Sequence, residues 1–369
     1  MQSNYIGAIS LNLFGQSHGE AIGIVINGLA PGITIDYEYI NNCLEKRKAK
    51  GNISTKRKEA DQIKIVSGVF NGKTTGSPLT IIIENENTQS KDYSALKDTP
   101  RPSHADYSAR VKYQGFEDYR GGGHFSGRIT APFVAAGAIF KKILEDKDIF
   151  IASHILSSTG VYDDEFSEDE IILKNQIIKL IKSSFPTLNS SVKDEMIKNI
   201  ENLAKEGDSC GGILQTAVCG MPAGIGEPFF SSIESKLSSL LFSIPAVKGV
   251  EFGAGFNFSN LTGSVANDAF YYDKNGNVKT KTNNNGGVNG GISNSMPILI
   301  KTAFKPTPSI YKPQQTVNLQ TKENYQLQIQ GRHDPCIIHR GAIVADCAVA
   351  IGLCDLFSQR FGYLWQCNN

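Results

Sequence analysis

The sequence predicts an α+β protein built on antiparallel sheets. Three observations carry that prediction. Several apolar stretches follow one another with a strand-like period and no crossover helix between them. One segment, 129–146, is apolar almost all round and reads as a buried helix. The second half of the chain then repeats the same order of strands and helices, without a sequence repeat of fixed period.

Each element rests on a local signal. Residues 8–14 (Ala-Ile-Ser-Leu-Asn-Leu-Phe) alternate apolar and polar, which suits a half-buried strand. A second strand covers 22–29 and ends at the Pro31-Gly32 turn. Asp36 is placed to cap a helix to Lys48, with Ile40 and Leu44 four apart and Gly51 beyond the end. Strands follow at 62–70 and 79–84, joined through Asn71-Gly72, a strong hairpin signal. The stretch 86–128 is long, polar and aperiodic, and connections of that length inside a compact protein tend to be functional. After the 129–146 helix, rich in small residues at Ala135, Ala136, Gly137 and Ala138, comes a strand at 148–156. Ser167 and Glu170 have capping-box spacing before a helix. Another helix spans 191–205 and ends at Gly207. Residues 157–206 are polar outside and read as a peripheral insertion. The second half gives strand 213–220, helix 229–242, a Gly/Asn-rich loop 282–291, strands 297–304 and 325–330, and helix 341–360.

Composition narrows the class. The chain has 369 residues, 40% of them hydrophobic, with 37 basic against 36 acidic side chains. That balance excludes a disordered polyelectrolyte and argues against a protein wrapped along nucleic acid. Ile129 to Leu144 is the longest apolar stretch by this reading, and it is short of the ~20 residues that span a bilayer. Met1-Gln-Ser-Asn-Tyr lacks a signal peptide's pattern, so a cytoplasmic location is expected. Seven cysteines without CxxC spacing point to small buried hydrophobes, not to a disulfide framework.

Five of six histidines (His18, His104, His124, His333, His339) sit in segments rich in Gly, Ser, Asp or Arg, where imidazole suits proton transfer. His154 lies in a predicted strand and reads as structural. Neither HExxH nor a His pair at four-residue spacing is present, and arginines flank most of the histidines, which disfavours a divalent metal. A basic cluster at Lys46, Arg47, Lys48, Lys50, Lys56, Arg57 and Lys58 partly serves a helix C-terminus. With Arg101, Arg120, Arg128, Arg332 and Arg340 it would also suit a polyanionic ligand, since guanidinium holds phosphate and carboxylate through paired donors. Gly121–Gly123, Gly286-Gly287 and Gly290-Gly291 could bring backbone N–H groups to an anion. The Gly68–Thr74 segment is one residue short of a P-loop between its glycines and reads better as a hairpin. Lys305-Pro306-Thr307-Pro308-Ser309 is a rigid edge that could present Thr307 and Ser309 hydroxyls, or simply a stiff linker. Asp334 is either a helix N-cap or a carboxylate between Arg332 and His333 poised for proton exchange. An RNA-binding module and a metal-dependent phosphatase are the rival classes. The first needs aromatic and basic residues on adjacent strands, and the second needs ligand sets that the sequence does not offer.

Seven segments, taken in order, resemble the chorismate synthase family. They are Phe14-Gly-Gln-Ser-His18-Gly-Glu20, Arg101-Pro-Ser-His104-Ala-Asp-Tyr107, Asp118-Tyr-Arg-Gly-Gly-Gly123, Ala246-Val-Lys-Gly-Val-Glu251, Gly290-Gly-Ile-Ser293, Lys305-Pro-Thr307 and Gly331-Arg-His-Asp-Pro-Cys336. Together they cover nearly the whole chain, as a single domain. The resemblance implies a β-α-β sandwich with central helices between two antiparallel sheets, and a homotetramer. It implies a redox-neutral lyase that removes phosphate from 5-enolpyruvylshikimate 3-phosphate by 1,4-anti elimination, with reduced FMN (FMNH2) required. By similarity His18 protonates the departing phosphate, His104 protonates the reduced flavin, and Asp334 helps deprotonate flavin N5. Lys46, Arg47, Arg120, Arg128 and Arg332 are the expected substrate contacts. FMN is expected against Arg47, His124, Phe125, Ser126, Pro245, Ala246, Gly290, Lys305, Pro306, Thr307, Pro308, Ser309 and Arg332. The chain departs from the family at three places. Many members have Arg-Ser or Arg-Ala where this one has His124-Phe125. Pro245 often replaces a polar residue. Asn52 stands where a second basic residue, in some members assigned to NADPH, is common. Whether flavin is reduced here with NADPH or by a separate flavin reductase is left open by the sequence.

Overall fold

The computed structural model describes residues 3–49, 51–55, 59–86, 97–329 and 333–367. Arg332, Lys50, Lys56, Arg57 and Lys58 lie outside the described residues.

Two five-stranded sheets frame the molecule. The first is built from β1 (Asn4–Tyr5), β2 (Ser10–Gly15), β3 (Ala21–Asn27), β4 (Ile63–Ser67) and β5 (Leu79–Glu84), in the order β1-β2-β3-β5-β4. The second uses β6 (Phe150–Ser158), β7 (Val161–Tyr162), β8 (Gly212–Cys219), β9 (Val247–Phe252) and β10 (Ile298–Phe304), in the order β9-β10-β8-β6-β7. Every pairing in both is antiparallel. The helices are α1 (Tyr37–Arg47), α2 (Asp106–Lys112), α3 (Thr130–Glu145), α4 (Glu170–Leu180), α5 (Ser190–Lys205), α6 (Ile233–Phe242), the single turn α7 (Gly263–Ala266) and α8 (Ile338–Phe361).

Helices fill the space between the sheets. α3 packs on β3 and β5, α8 packs on β6 and β8, and α3 and α8 pack on each other, with α1 and α6 beside them. The expected sandwich is therefore present. Its period-2 signal is real: Leu79, Ile81 and Ile83 of β5 are buried and alternate with less buried neighbours, as do Ile298, Ile300, Thr302 and Phe304 of β10. Each Ile or Phe so buried stabilises the fold by about 1.5–3 kcal/mol. β6 is buried on both faces because α8 covers one and α4 the other, where Leu173 and Ile177 meet Ala152 and Ala217. α3 and α8 approach closely at Gly137, where an added Cβ would lie 2.3 Å from Cys347 Cβ. At the far end of α8, the buried Asp355 accepts hydrogen bonds from Tyr5 Oη and Ile9 N, each at 2.8 Å.

Several expectations need correction. α8 is 24 residues long and apolar enough to span a bilayer by length and composition, so Ile129–Leu144 is not the longest apolar stretch; the apolar part of α8 is wholly buried within the protein. α4 is capped by Asp169, whose side chain accepts from Ile171 N and Ile172 N, and not by Ser167. Ser167 instead accepts from Asp169 N, two residues too early to cap. Asn71-Gly72, both with positive φ, close a small ribbon of Val69–Phe70 and Lys73–Thr74 and do not join β4 directly to β5. The 229–242 segment splits at Ser232, which ends a short 3-10 turn and caps α6. β9 and the ribbon Phe270–Tyr272/Val278–Thr280 had no sequence signal strong enough to place them. Among the described residues all seven cysteines are free, six buried and Cys367 half-buried.

Candidate active site

One cavity of about 1150 Å³ draws its walls from residues 3 to 344. Single small-molecule pockets run to about 300–1,000 Å³, so this one has room for two ligands. Seven basic side chains line it (Arg47, Lys48, Arg101, Arg128, Lys248, Lys305, Arg340) against four acidic ones (Glu45, Glu59, Asp61, Asp334), with His18, His104, His124 and His333 between them.

His18 sits in the turn between β2 and β3 and is 7% exposed. Its Nδ1 lies 2.9 Å from Ser17 Oγ, which is itself 3.2 Å from Gly121 O. The glycine run 121–123 has positive φ throughout and lies directly on this group. A Cβ on Gly121 would come 2.2 Å from His18 Cε1, and one on Gly123 would meet Asp118 O at 2.1 Å. Gly123 O accepts from Ser17 N. These glycines permit close approach of the backbone to histidine. Gly286 and Gly287 likewise press on the backbone at Gly253 and Pro297.

His104 lies within the long polar stretch, just before α2. Its Nδ1 lies 2.5 Å from Asp106 Oδ1, and Arg101 holds the same carboxylate through Nε and Nη2, each at 2.8 Å. Burial first, then Arg101, hold the imidazole below its ordinary pKa, with Asp106 opposing them.

A buried triad forms the cationic wall. Asp61, with a fully buried side chain, accepts from Arg47 Nη2 at 2.7 Å and from Arg128 Nη1. Burial alone would raise the Asp61 pKa, but Arg47 and Arg128 outweigh it and the carboxyl stays below its usual range. Arg128 is fixed further by Asn85 Oδ1 at 3.0 Å. Arg47 Nε is buried with no hydrogen-bond partner among the described residues. Opposite, Asp334 accepts from Thr55 N at 2.8 Å and from Arg340 Nη2 at 2.6 Å. Among the described residues its basic partner is Arg340; Arg332, the neighbour expected from the sequence, lies outside them. His333 stands against Tyr311, ring centroids 4.9 Å apart, and its Nε2 is buried without a partner among the described residues.

The expected flavin contacts divide. His124, Phe125, Ser126, Pro245, Ala246, Lys305, Thr307, Pro308 and Ser309 all line the cavity. His124 donates from Nδ1 to Gly15 O at 2.8 Å, and its Nε2 lies 2.9 Å from Ser3 Oγ. The hydroxyl of Thr307 donates to Asp334 O at 2.6 Å, and Ser309 Oγ accepts from Arg101 at 3.2 Å, so both serve the frame of the site. Pro306 falls between lining residues without lining the cavity itself. Gly290, in the hairpin between Val288–Asn289 and Ile292–Ser293, is exposed and outside the cavity of this chain. Lys46 turns away and donates to Ile181 O. Arg120 is paired to Asp118 at 2.8 Å, also outside the cavity. His154, fully buried, has Asp163 and Gln215 at its two ring nitrogens. Asp61 and Arg340's hold on Asp334 carried no sequence signal beyond residue type, whereas Asp106 stood in the Arg101–Tyr107 segment without a role assigned to it. Among the described residues no group of three metal-ligating side chains gathers.

Comparison with known proteins agrees with this arrangement. Residues 9–357 match the family model described as chorismate synthase. A chorismate synthase of Thermococcus kodakarensis is 44% identical over 352 residues, 95% of this chain and 96% of the relative. That of Methanobrevibacter smithii is 44% identical over 368 residues, 99% of both chains. A crystal structure of chorismate synthase superposes with a TM-score of 0.75 and 25% identity, covering 96% of this chain and 92% of that one. With the motifs, the sandwich and the composite cationic cavity in agreement, the chain belongs to the chorismate synthase family, the carbon–oxygen lyases that make chorismate.

Proposed function

We propose that this chain eliminates phosphate from 5-enolpyruvylshikimate 3-phosphate by the FMNH2-dependent 1,4-anti route, giving chorismate at the last common step of aromatic amino acid biosynthesis. One observation carries the reading. Residues more than 300 positions apart place three proton-handling groups (His18, His104, Asp334) and a buried arginine pair on one cavity large enough for two ligands. The substrate brings a phosphate and two carboxylates. Arg47 and Arg128 are the groups to meet them, because charge-assisted bonds from guanidinium are strong in a site shielded from water.

The residues present fit a flavin. Pro245, Ala246, Lys305, Thr307, Pro308 and Ser309 line the cavity together with His124–Ser126, and the unpartnered nitrogens of Arg47 and His333 leave donors for a polar ligand. Reduced FMN, when bound, would supply electron density to the breaking carbon–oxygen bond. The chain's own part is to bind, orient and move protons. His18, held at Nδ1 by Ser17, delivers a proton to the leaving phosphate. His104, held at Nδ1 by Asp106, exchanges its proton at Nε2. Asp334, restrained by Thr55 N and Arg340, accepts a proton at its carboxylate.

The functional unit is proposed to be a homotetramer in the cytoplasm. Phe229, Phe230, Phe256 and Tyr272 are 76–94% exposed on this chain, an apolar surface that further copies would cover. The free thiols suit a reducing compartment. Lys46, Arg120 and Gly290 are not part of the proposed contact set of the single chain. Arg332 stays a proposed contact on sequence grounds. Anaerobic incubation with dithionite-reduced FMN and the enolpyruvyl substrate should release phosphate and produce chorismate absorbance together. Absence of both with the flavin fully reduced refutes the proposal. Repeating the assay with NADPH in place of dithionite tells a self-reducing enzyme from one served by a flavin reductase.

A further inference from the structure

We propose that Asp106 is a positioning residue that fixes the tautomer of His104, so that only Nε2 exchanges protons with a ligand in the cavity. The inference rests on the reading that His104 acts on bound ligands. The geometry is that of a carboxylate that has no freedom to turn. Asp106 Oδ2 accepts from Arg101 N at 3.0 Å and from Arg101 Nε at 2.8 Å, and Oδ1 accepts from Arg101 Nη2 at 2.8 Å. Arg101 is anchored in turn by Nη1 on Ser309 Oγ at 3.2 Å. The remaining approach to Oδ1 is taken by His104 Nδ1 at 2.5 Å.

An ionised carboxylate only accepts, so the neutral ring must carry its hydrogen on Nδ1. One contact competes. Arg101 Nη2 also lies 3.1 Å from Nδ1, and as a pure donor it would call for a lone pair there. The carboxylate contact is shorter, 2.5 Å against 3.1 Å, and an unprotonated Nδ1 at that distance would set two lone pairs against each other, so the carboxylate decides the tautomer. Nε2 is then the acceptor. It runs along Gly122, where an added Cβ would lie 3.3 Å away, with Ser126 beside it on the cavity wall. The charged groups that face the ring are Asp106 and Arg101 from its own segment and Lys305 from the end of β10. Burial, then Arg101 and Lys305, disfavour the charged ring against the pull of Asp106, and an anionic ligand in the cavity would relieve that. Asp106 then supports the imidazolium that forms when Nε2 takes up a proton, and the ring returns that proton from the same atom.

The test uses the full chain labelled with 15N in histidine, with the His104 ring assigned by its loss in His104→Gln. The wild-type spectrum should show a protonated Nδ1 and an unprotonated Nε2 at neutral pH. Asp106→Asn should shift the ring toward the Nε2–H tautomer and lower kcat by about 10²–10⁴-fold, the range that general acid–base catalysis contributes, with KM changed less than about threefold. Asp106→Glu should recover the Nδ1–H tautomer in part. An Nε2–H tautomer in the wild type overturns the inference without any variant, which covers the case of a poorly folded Asp106→Asn. An unchanged tautomer in a folded Asp106→Asn overturns it as well. Wild-type turnover in His104→Gln alongside a tautomer that does respond to Asp106 would instead remove the role of His104 and leave the tautomer control standing.

Discussion

Replacing Gly121 with alanine tests the claim that the glycine run exists to seat His18. The new Cβ would lie 2.2 Å from His18 Cε1, 2.3 Å from Nδ1 and 2.6 Å from Ser17 Oγ. Ordinary carbon contact begins at about 3.5 Å, so the ring must retreat by about 1.3 Å. It would lose its place on Ser17 in doing so. A misplacement of about 1 Å can cost about 10²-fold in rate, equivalent to about 2.7 kcal/mol of barrier. Gly121 also has φ of 58°, a left-handed conformation that costs a side-chain-bearing residue a further ~1–2 kcal/mol of stability. Gly121→Ala should therefore fold with a lowered midpoint and show kcat reduced about 100-fold in the anaerobic phosphate-release assay. Gly263→Ala, at a site with nothing within 4 Å of the new Cβ, is the control and should leave both unchanged. Wild-type kcat in a folded Gly121→Ala would refute the reasoning, because the clash would then have been absorbed without moving the imidazole.

Three further outcomes follow from the packing. Asp61→Asn removes the carboxylate that Arg47 and Arg128 share and leaves only Glu59, 3.9 Å from Arg128 Nη2, as a counter-charge. Urea titration should show a loss of about 3–5 kcal/mol, and KM should rise; wild-type stability would mean that the arginines do not depend on the carboxylate. Because the Asp61 carboxyl is held below its ordinary range, its stabilisation is present above about pH 3.9 and is lost as pH falls through the folded value. His339 is pushed down to about 3 by burial first and by Arg340 second, with Asp334 opposing. The folded value lies below the unfolded one, so the neutral ring favours the fold above about pH 6.5, and that contribution drains away as pH falls toward about 3. His339→Gln should flatten stability across that window, and parallel acid limbs for variant and wild type would exclude the ring as the cause. A thiol reagent should label about one cysteine quickly, Cys367, and all seven in denaturant; rapid labelling of several in the native state would contradict the burial of the other six.

Periodicity is a short-range signal, and it reported the layers well because each sheet has one face buried against helices. Leu79, Ile81 and Ile83 show their period in the sequence for that reason. Asp36 was legible as a cap because a cap is read from residues three apart, and it accepts from Tyr39 N at 2.9 Å. The same logic misplaced the α4 cap, since Ser167 and Asp169 both have capping chemistry and only backbone geometry separates them. His18, His104 and Asp334 were legible through the motifs they stand in. Asp61 was not. Its role depends on two arginines from α1 and the turn before α3, and nothing near residue 61 announces them. Arg340 was visible as one of several cations, but its pairing with Asp334 depends on the helical turn that brings residues 334 and 340 together. Lys46 shows the converse. It is adjacent to Arg47 in sequence, yet one step along a helix turns it to another face.

The place of α8 in the middle layer also sets a schedule for the ribosome. This helix covers the second sheet's inner face and carries His339 and Arg340, and it follows every strand of both sheets. About 320 residues separate His18 from Arg340, and at about 5–20 residues per second their synthesis is spaced by roughly 15–65 s. β6 ends 180 residues before α8 begins, so its inner face waits roughly 9–36 s of that interval for the helix that covers it. The nascent chain thus spends about half of its synthesis with an apolar strand that only its last long helix can shield, the condition in which a holding chaperone has the most to bind.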